Sequence, residues 1–283
     1  MQSLTLLGQS VISGLLTGGL YGLLALGLSL NWGLLRLVNL GHFALAFLGA
    51  YLTYQLGTVL RLAPWLSALL IVPVFFALGV GLHAVFVRFR VTEFTSLLVT
   101  FGVTVILESV IQWFWTADFR RYETAYGTAS TRIGSLFIPT LDLLAGLTAA
   151  ALALATWAWL RFTYVGKALR ASAEDPAIAV AFGVNHRAQA FLVSGISAAY
   201  AGVAGVYIAL ISTLAPSQIW AWLGVVFAVV IIGGLANPIG ALLAGLLIGV
   251  SESLTMAVVT PAWAPLVSFS VLILLLVARP ERA

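Results

Sequence analysis

Arg36 is the first charged residue in this 283-residue chain, and none occurs between Arg187 and Glu252. Uncharged runs of that length cannot cover a water-facing surface. Charged residues make up 8% of the chain, against roughly 25% in soluble domains. With 62% hydrophobic residues, a soluble globule would expose more apolar area than a monomer tolerates. Lipid is therefore the expected solvent, and the chain reads as a polytopic membrane protein.

A bilayer-spanning helix needs about 20 apolar residues, and the charges mark where such runs stop. Leu4 to Leu35, Leu37 to Leu60 and Leu62 to Val87 are uncharged, Phe94 to Ala117 holds only Glu108, and Ile133 to Leu160 holds only Asp142. The turn Ala215-Pro216-Ser217-Gln218 divides the run after Arg187 into Ala188 to Leu214 and a part beginning near Ile219. Ser253 to Ala278, with Pro261 and Pro265 in its first half, comes last. The expectation is an all-α fold, one transmembrane helix bundle over residues 1–283 with about eight hydrophobic segments. Residues 219–256 are interrupted at Leu235-Ala236-Asn237-Pro238-Ile239-Gly240, leaving two arms of about 15 residues, each shorter than the bilayer core. Such a broken or re-entrant pair needs protein or water around its irregular backbone, which makes it a candidate wall of a transport pathway. A plain turn between two short spans fits the pattern equally well.

If the segments cross in turn, Arg36, Arg88, Arg90, Arg161, Lys167, Arg170 and Arg187 share one face, and Arg61, Arg120, Arg121 and Arg132 the other. The positive-inside rule then makes the first face cytoplasmic and places the N-terminus outside. Arg279 and Arg282 favour a cytoplasmic C-terminus on the same rule. With no basic residue ahead of the first apolar run, a cleaved signal peptide is not expected.

The longest polar interval, 161–187, has an ordered pattern. Lys167 and Arg170 lie at helix spacing, Asp175-Pro176 supplies an N-cap and a first-turn proline, and Gly183 stands where a left-handed stop belongs. Between them Pro176 to Phe182 forms a short, mostly apolar helix. Its basic flanks suit docking to a partner at the membrane surface, and an interfacial helix resting on headgroups is the plainer alternative.

The absence of cysteine removes thiolate chemistry, and three scattered histidines do not suggest a metal site. No cofactor is expected. The net charge of +4 is spread singly and in pairs between apolar runs, so no nucleic acid partner is expected. Protease, nucleophile-elbow and phosphate-loop motifs are all missing, so the chain is not read as an enzyme, and any ATP hydrolysis falls to other subunits. Gly14, Gly18 and Gly22, and later Gly195, Gly202 and Gly205, give the small-residue spacing of closely packed helices in lipid. Polar residues inside such segments are costly and often functional. Asn39 and His42, three apart on one helix face, Glu108, Asn237 in the interruption, and Glu252 are the candidates for lining a pathway. Hydrogen bonding between helices is the competing role.

The stretch from Gly14 through Asn39, Gly41 and His42 to Tyr51 resembles the N-terminal region of branched-chain amino-acid ABC transporter permeases of the LivH type. The blocks Gly166-Lys-Ala-Leu-Arg170, Glu174-Asp-Pro-Ala to Phe182-Gly-Val-Asn185, Gly233-Gly234 and Gly240 to Glu252 resemble later parts of the same family, in order, over about residues 10 to 278. The resemblance implies a multi-pass permease of a bacterial-type cytoplasmic (inner) membrane, part of an ATP-driven importer of branched-chain amino acids or related small polar solutes. It also implies a second homologous permease, two cytoplasmic ABC ATPase subunits and a periplasmic or extracellular solute-binding protein as partners. Gly166, Lys167, Arg170, Glu174, Asp175, Pro176, Phe182 and Gly183 fall on the implied ATPase-coupling segment. A secondary transporter or channel for a small solute is the alternative function.

Overall fold

A computed structural model describes residues 2–124, 126–127, 129–259 and 263–278. Its helices are α1 (Gln2–Leu35), α2 (Gly41–Thr58), α3 (Pro64–Arg88), α4 (Glu93–Trp115), α5 (Thr140–Phe162), α6 (Tyr164–Glu174), α7 (Pro176–Ala181), α8 (His186–Ile211), α9 (Gln218–Gly233), α10 (Pro238–Val258) and α11 (Ala264–Ala278). Strands β1 (Ser130–Ile133) and β2 (Leu136–Pro139) pair antiparallel ahead of α5. Six helices, α1, α3, α4, α5, α8 and α10, are long and apolar enough to cross a membrane. Helices α2, α9 and α11 complete the bundle, and α2 is its most enclosed part: His42, Phe43, Ala44, Ala46, Phe47, Ala50 and Tyr51 are at most 1% exposed.

Side-chain pairings fix how the helices run. On α1, Gly14, Gly18 and Gly22 face Val250, Gly245 and Leu242 of α10, so these two helices are antiparallel. In the same way α8 runs against α3, with Gly79 at Ser194 and Gly202 at Ile71, and against α5, where Thr148 meets Tyr207 and Thr156 meets Tyr200. Helix α4 runs alongside α2: the Thr100 hydroxyl accepts from Leu40 N–H at 3.0 Å, and Trp115 Nε1 donates to Gln55 at 2.9 Å. The seven basic residues read as cytoplasmic thus lie at one end of the bundle, and Arg61, Arg120, Arg121 and Arg132 at the other.

In lipid such packing is driven by close backbone approach rather than by the hydrophobic effect. A Cβ on Gly18 would lie 2.5 Å from the Gly245 carbonyl oxygen and 2.7 Å from Leu246 Cα. Only glycine permits that approach.

The structure modifies three expectations. The expected all-α fold carries a small hairpin where residues 133–139 were assigned to the fifth segment; Pro139, extended at φ −62° and ψ 128°, sets the start of α5. Gln9 holds the hairpin to α1, its Nε2 donating to Phe137 O at 2.8 Å and its Oε1 accepting from Phe137 N–H at 2.9 Å. The count of eight segments is not reproduced, because residues 219–256 give two separate helices. The break between them is present, at Gly234 to Asn237, but only α9, with 16 residues, is short, while α10 has 21. Helix α10 continues through Glu252 because that carboxylate accepts hydrogen bonds from Tyr21 and Ser268. The turn sits at the bundle end beside α6, where Ala236 N–H donates to Ser29 O at 3.1 Å. Pro261, Arg279 and Arg282 lie outside the described residues.

Candidate functional site

The interval 161–187 folds as two short helices outside the spans. Thr163 caps α6 through its hydroxyl, which accepts from Gly166 N–H at 3.0 Å. Gly166 itself is buried at the corner between α5 and α6, where a Cβ would lie 2.5 Å from Leu160 Cα; it serves a close backbone approach. Asp175 caps α7, its Oδ1 accepting from Ala177 N–H at 2.9 Å and Ile178 N–H at 3.0 Å. Pro176 occupies the first turn, and α7 ends at Ala181, one residue before Phe182. Gly183 then takes the left-handed conformation at φ 83°. Leu169 and Ala179 turn inward, while Lys167, Arg170, Glu174, Asp175, Pro176, Phe182 and Gly183 are all exposed. Phe182 is 84% exposed, and Ile178 and Val180 stand on the same short unit. The surface therefore mixes apolar tips with basic side chains. It is also tied to the spans: Arg36, in the left-handed region at φ 55°, donates from Nη2 to Ala173 O at 3.4 Å.

The five polar candidates inside the bundle are not gathered into one chamber. Asn39 and His42 fill the junction of α1 and α2, where His42 Nε2 donates to Leu24 O at 3.0 Å. Asn39 Oδ1 and His42 Nδ1 are buried with no hydrogen-bond partner. Asn237 caps α10, its Oδ1 accepting from Gly240 N–H at 3.0 Å, so its side chain is committed to the turn. Glu252, 6% exposed, accepts from Tyr21 Oη at 2.8 Å and from the Ser268 hydroxyl, joining α1, α10 and α11. Glu108 lies across the bundle on α4, where its Oε2 accepts from Trp220 Nε1 at 2.8 Å and its Oε1 from Gln112 at 3.4 Å.

Helix α9 links the two carboxylates. Trp220 reaches Glu108 and packs on Phe101 at 5.5 Å, while Trp222 stands edge-on to Tyr21, the donor to Glu252, at 5.7 Å. Residues two apart on a helix point to nearly opposite sides, so one short helix serves both. Sequence reasoning missed Tyr21, Trp220 and Trp222, although the Trp-Ala-Trp triplet inside a short apolar helix was the available signal. It also missed a cavity of about 630 Å³ at the α6 end, lined by Trp32, Arg36, Glu93, Leu97, Ala173 and Leu235 among others.

Residues 10–276 match the family model described as branched-chain amino acid transport system, permease component. The chain is similar to the high-affinity branched-chain amino acid transport system permease protein LivH of Salmonella typhimurium, at 26% identity over 96% of this chain and 93% of the relative. It is similar to the corresponding permease BraD of Pseudomonas aeruginosa, at 24% identity over 96% and 94%. A probable LivH of Methanocaldococcus jannaschii is 27% identical over 88% of this chain and 81% of its own length. No solved structure matches significantly.

Proposed function

Because the chain belongs to the family of branched-chain amino acid transport permease components, we propose that it is the membrane-spanning subunit of an ATP-driven importer that takes up branched-chain amino acids or closely related solutes. It is a multi-pass helical protein of the inner-membrane type, and its relatives are transport permeases rather than enzymes. In this reading a second permease stands beside it, two ATPase subunits dock at the cytoplasmic end, and a solute-binding protein delivers the solute at the other.

The observation that carries the proposal is the exposed α6–α7 unit. A phenylalanine 84% exposed at the tip of a capped helix, on a unit whose α6 also exposes Lys167 and Arg170, is suited to burial in a partner rather than to water. The Arg36 hydrogen bond to Ala173 gives movement of that partner a route to α1. Asn39, His42, Glu108, Asn237 and Glu252 then have divided roles. Asn237 caps α10, Glu252 joins α1, α10 and α11, Asn39 and His42 shape the α1–α2 junction, and Glu108 is left facing the solute path.

The test replaces Glu174 to Gly183 with a Gly-Ser linker of equal length and assays the permease complex in proteoliposomes. Loss of ATPase co-purification and of ATP-dependent leucine uptake is expected. Retention of both would remove the coupling role. Leucine flux through the isolated permease without ATP would instead establish the channel or secondary-transporter reading.

A further inference from the structure

Glu108 is a carboxylate within an apolar span, roughly 10 Å along the axis from the Trp115 end of α4. Intramembrane carboxylates are tolerated where they are enclosed by donors or face a polar path. Glu252 is of the first kind, sealed by two hydroxyls at 6% exposure. Glu108 differs: it is half-buried, with Ser109 and Gln112 exposed beside it. Its partners are two neutral groups, the Trp220 indole and the Gln112 amide, and no ion pair reaches it among the described residues. A carboxylate offers about four acceptor sites. Much of its capacity therefore remains free on a face open to the outside of the bundle.

The surroundings favour one kind of cation. The Trp220 indole that bonds Oε2 also packs on Phe101, about two turns along α4 from Glu108, with ring centroids 5.5 Å apart and planes tilted by 48°. Aromatic faces attract ammonium groups through their quadrupole, and a carboxylate adds a charge-assisted hydrogen bond. The indole N–H fixes Oε2 against α9 without neutralising it. Helix α2 packs on both α4 and α9, and its buried Phe43 stacks on Phe227 of α9 at 6.1 Å. At the α6 end of the bundle lies the 630 Å³ cavity, where Leu97 and Glu93 of α4 meet Leu235 after α9 and Arg36 supplies a positive charge. Glu108 and this cavity thus lie toward opposite ends of α4, both beside α9 or the turn that follows it.

We propose that Glu108, held by Trp220, which itself packs on Phe101, receives the ammonium group of a zwitterionic amino acid as it passes along the side of the bundle where α4 and Trp220 meet. This site rests on the permease reading and specifies which part of the solute the chain recognises.

The test compares Glu108→Gln with Glu108→Asp in the full transporter complex, measuring labelled leucine uptake in proteoliposomes alongside co-purification of the subunits. Gln keeps the length of the side chain and an oxygen for the Trp220 indole but carries no charge; Asp keeps the charge and is too short for that bond. Ammonium recognition predicts an assembled Glu108→Gln complex with uptake lowered about 10- to 100-fold, and Glu108→Asp transporting better than Glu108→Gln. A purely structural hydrogen bond predicts the reverse order, and Glu108→Gln equal to or better than Glu108→Asp overturns the proposal. A Glu108→Gln complex that fails to assemble also overturns it, the carboxylate then belonging to a subunit interface. A wild-type complex that takes up no leucine overturns the permease reading itself, before any variant is compared.

Discussion

Gly18→Ala separates backbone approach from general glycine effects. The new Cβ would lie 2.5 Å from the Gly245 carbonyl oxygen and 2.7 Å from Leu246 Cα, whereas ordinary contact begins at 3.4 Å. Both obstacles are backbone of α10, so no side chain can swing away and the helices must part by about 0.9 Å. A radial gap of that size forfeits a quarter to a half of the dispersion well of each affected atom pair. Overpacking of this kind costs about 1–3 kcal/mol. Gly102→Ala on α4 is the control, because a Cβ there meets nothing within 4 Å; relief of helix-interior glycine entropy favours it by about 0.5–1 kcal/mol. The two variants should therefore differ by about 1.5–4 kcal/mol in opposite directions from wild type. Unfolding in mixed detergent and SDS micelles, followed by the fluorescence of the 9 tryptophans, measures the difference. Equal midpoints for Gly18→Ala and Gly102→Ala would refute the claim that α1 and α10 are held by backbone contact.

Tyr21→Phe removes one of the two hydroxyls on Glu252 and should lower stability by about 1 kcal/mol in the same assay, with Ser268→Ala similar. If neither variant shifts the midpoint, Glu252 does not hold α1, α10 and α11 together. Asp175→Ala removes both N-cap hydrogen bonds of α7 and should destabilise that helix by about 1 kcal/mol; weaker ATPase co-purification with the spans intact is the expected readout. Gly57→Val drives a side chain into the Tyr122 phenol and should free the loop at the far end. Trypsin cleavage at Arg120 or Arg121 should then accelerate, and an unchanged rate would mean that Tyr122 does not anchor the loop.

Charge placement made most of the fold legible. Runs between charges located the helices, and the positions of Arg36, Arg88, Arg161 and Arg187 against Arg61 and Arg120 predicted which ends lie together. The same rule misread Glu252 as a boundary, because a carboxylate satisfied by Tyr21 and Ser268 does not end a helix, and those partners are distant in sequence. The hairpin at 130–139 was hidden because Leu136 to Pro139 is as apolar as a span. In the interval 161–187, Asp175, Pro176 and Gly183 announced their roles since capping is local chemistry. The grouping of Glu108 with Trp220 and Phe101 was not legible, because it depends on how α4 and α9 lean on α2.

Helix α1 has 34 residues, about 51 Å of continuous rod. Gln9 near one end grips the backbone of the external hairpin, and Arg36 just past the other reaches a carbonyl of α6. Between these holds its glycines leave it in backbone contact with α10, with no compressible side-chain layer to absorb a displacement. A push delivered at α6 is therefore passed along a stiff strut to the hairpin about 40 Å away, and the α6–α7 unit and the hairpin at the opposite end are mechanically one part.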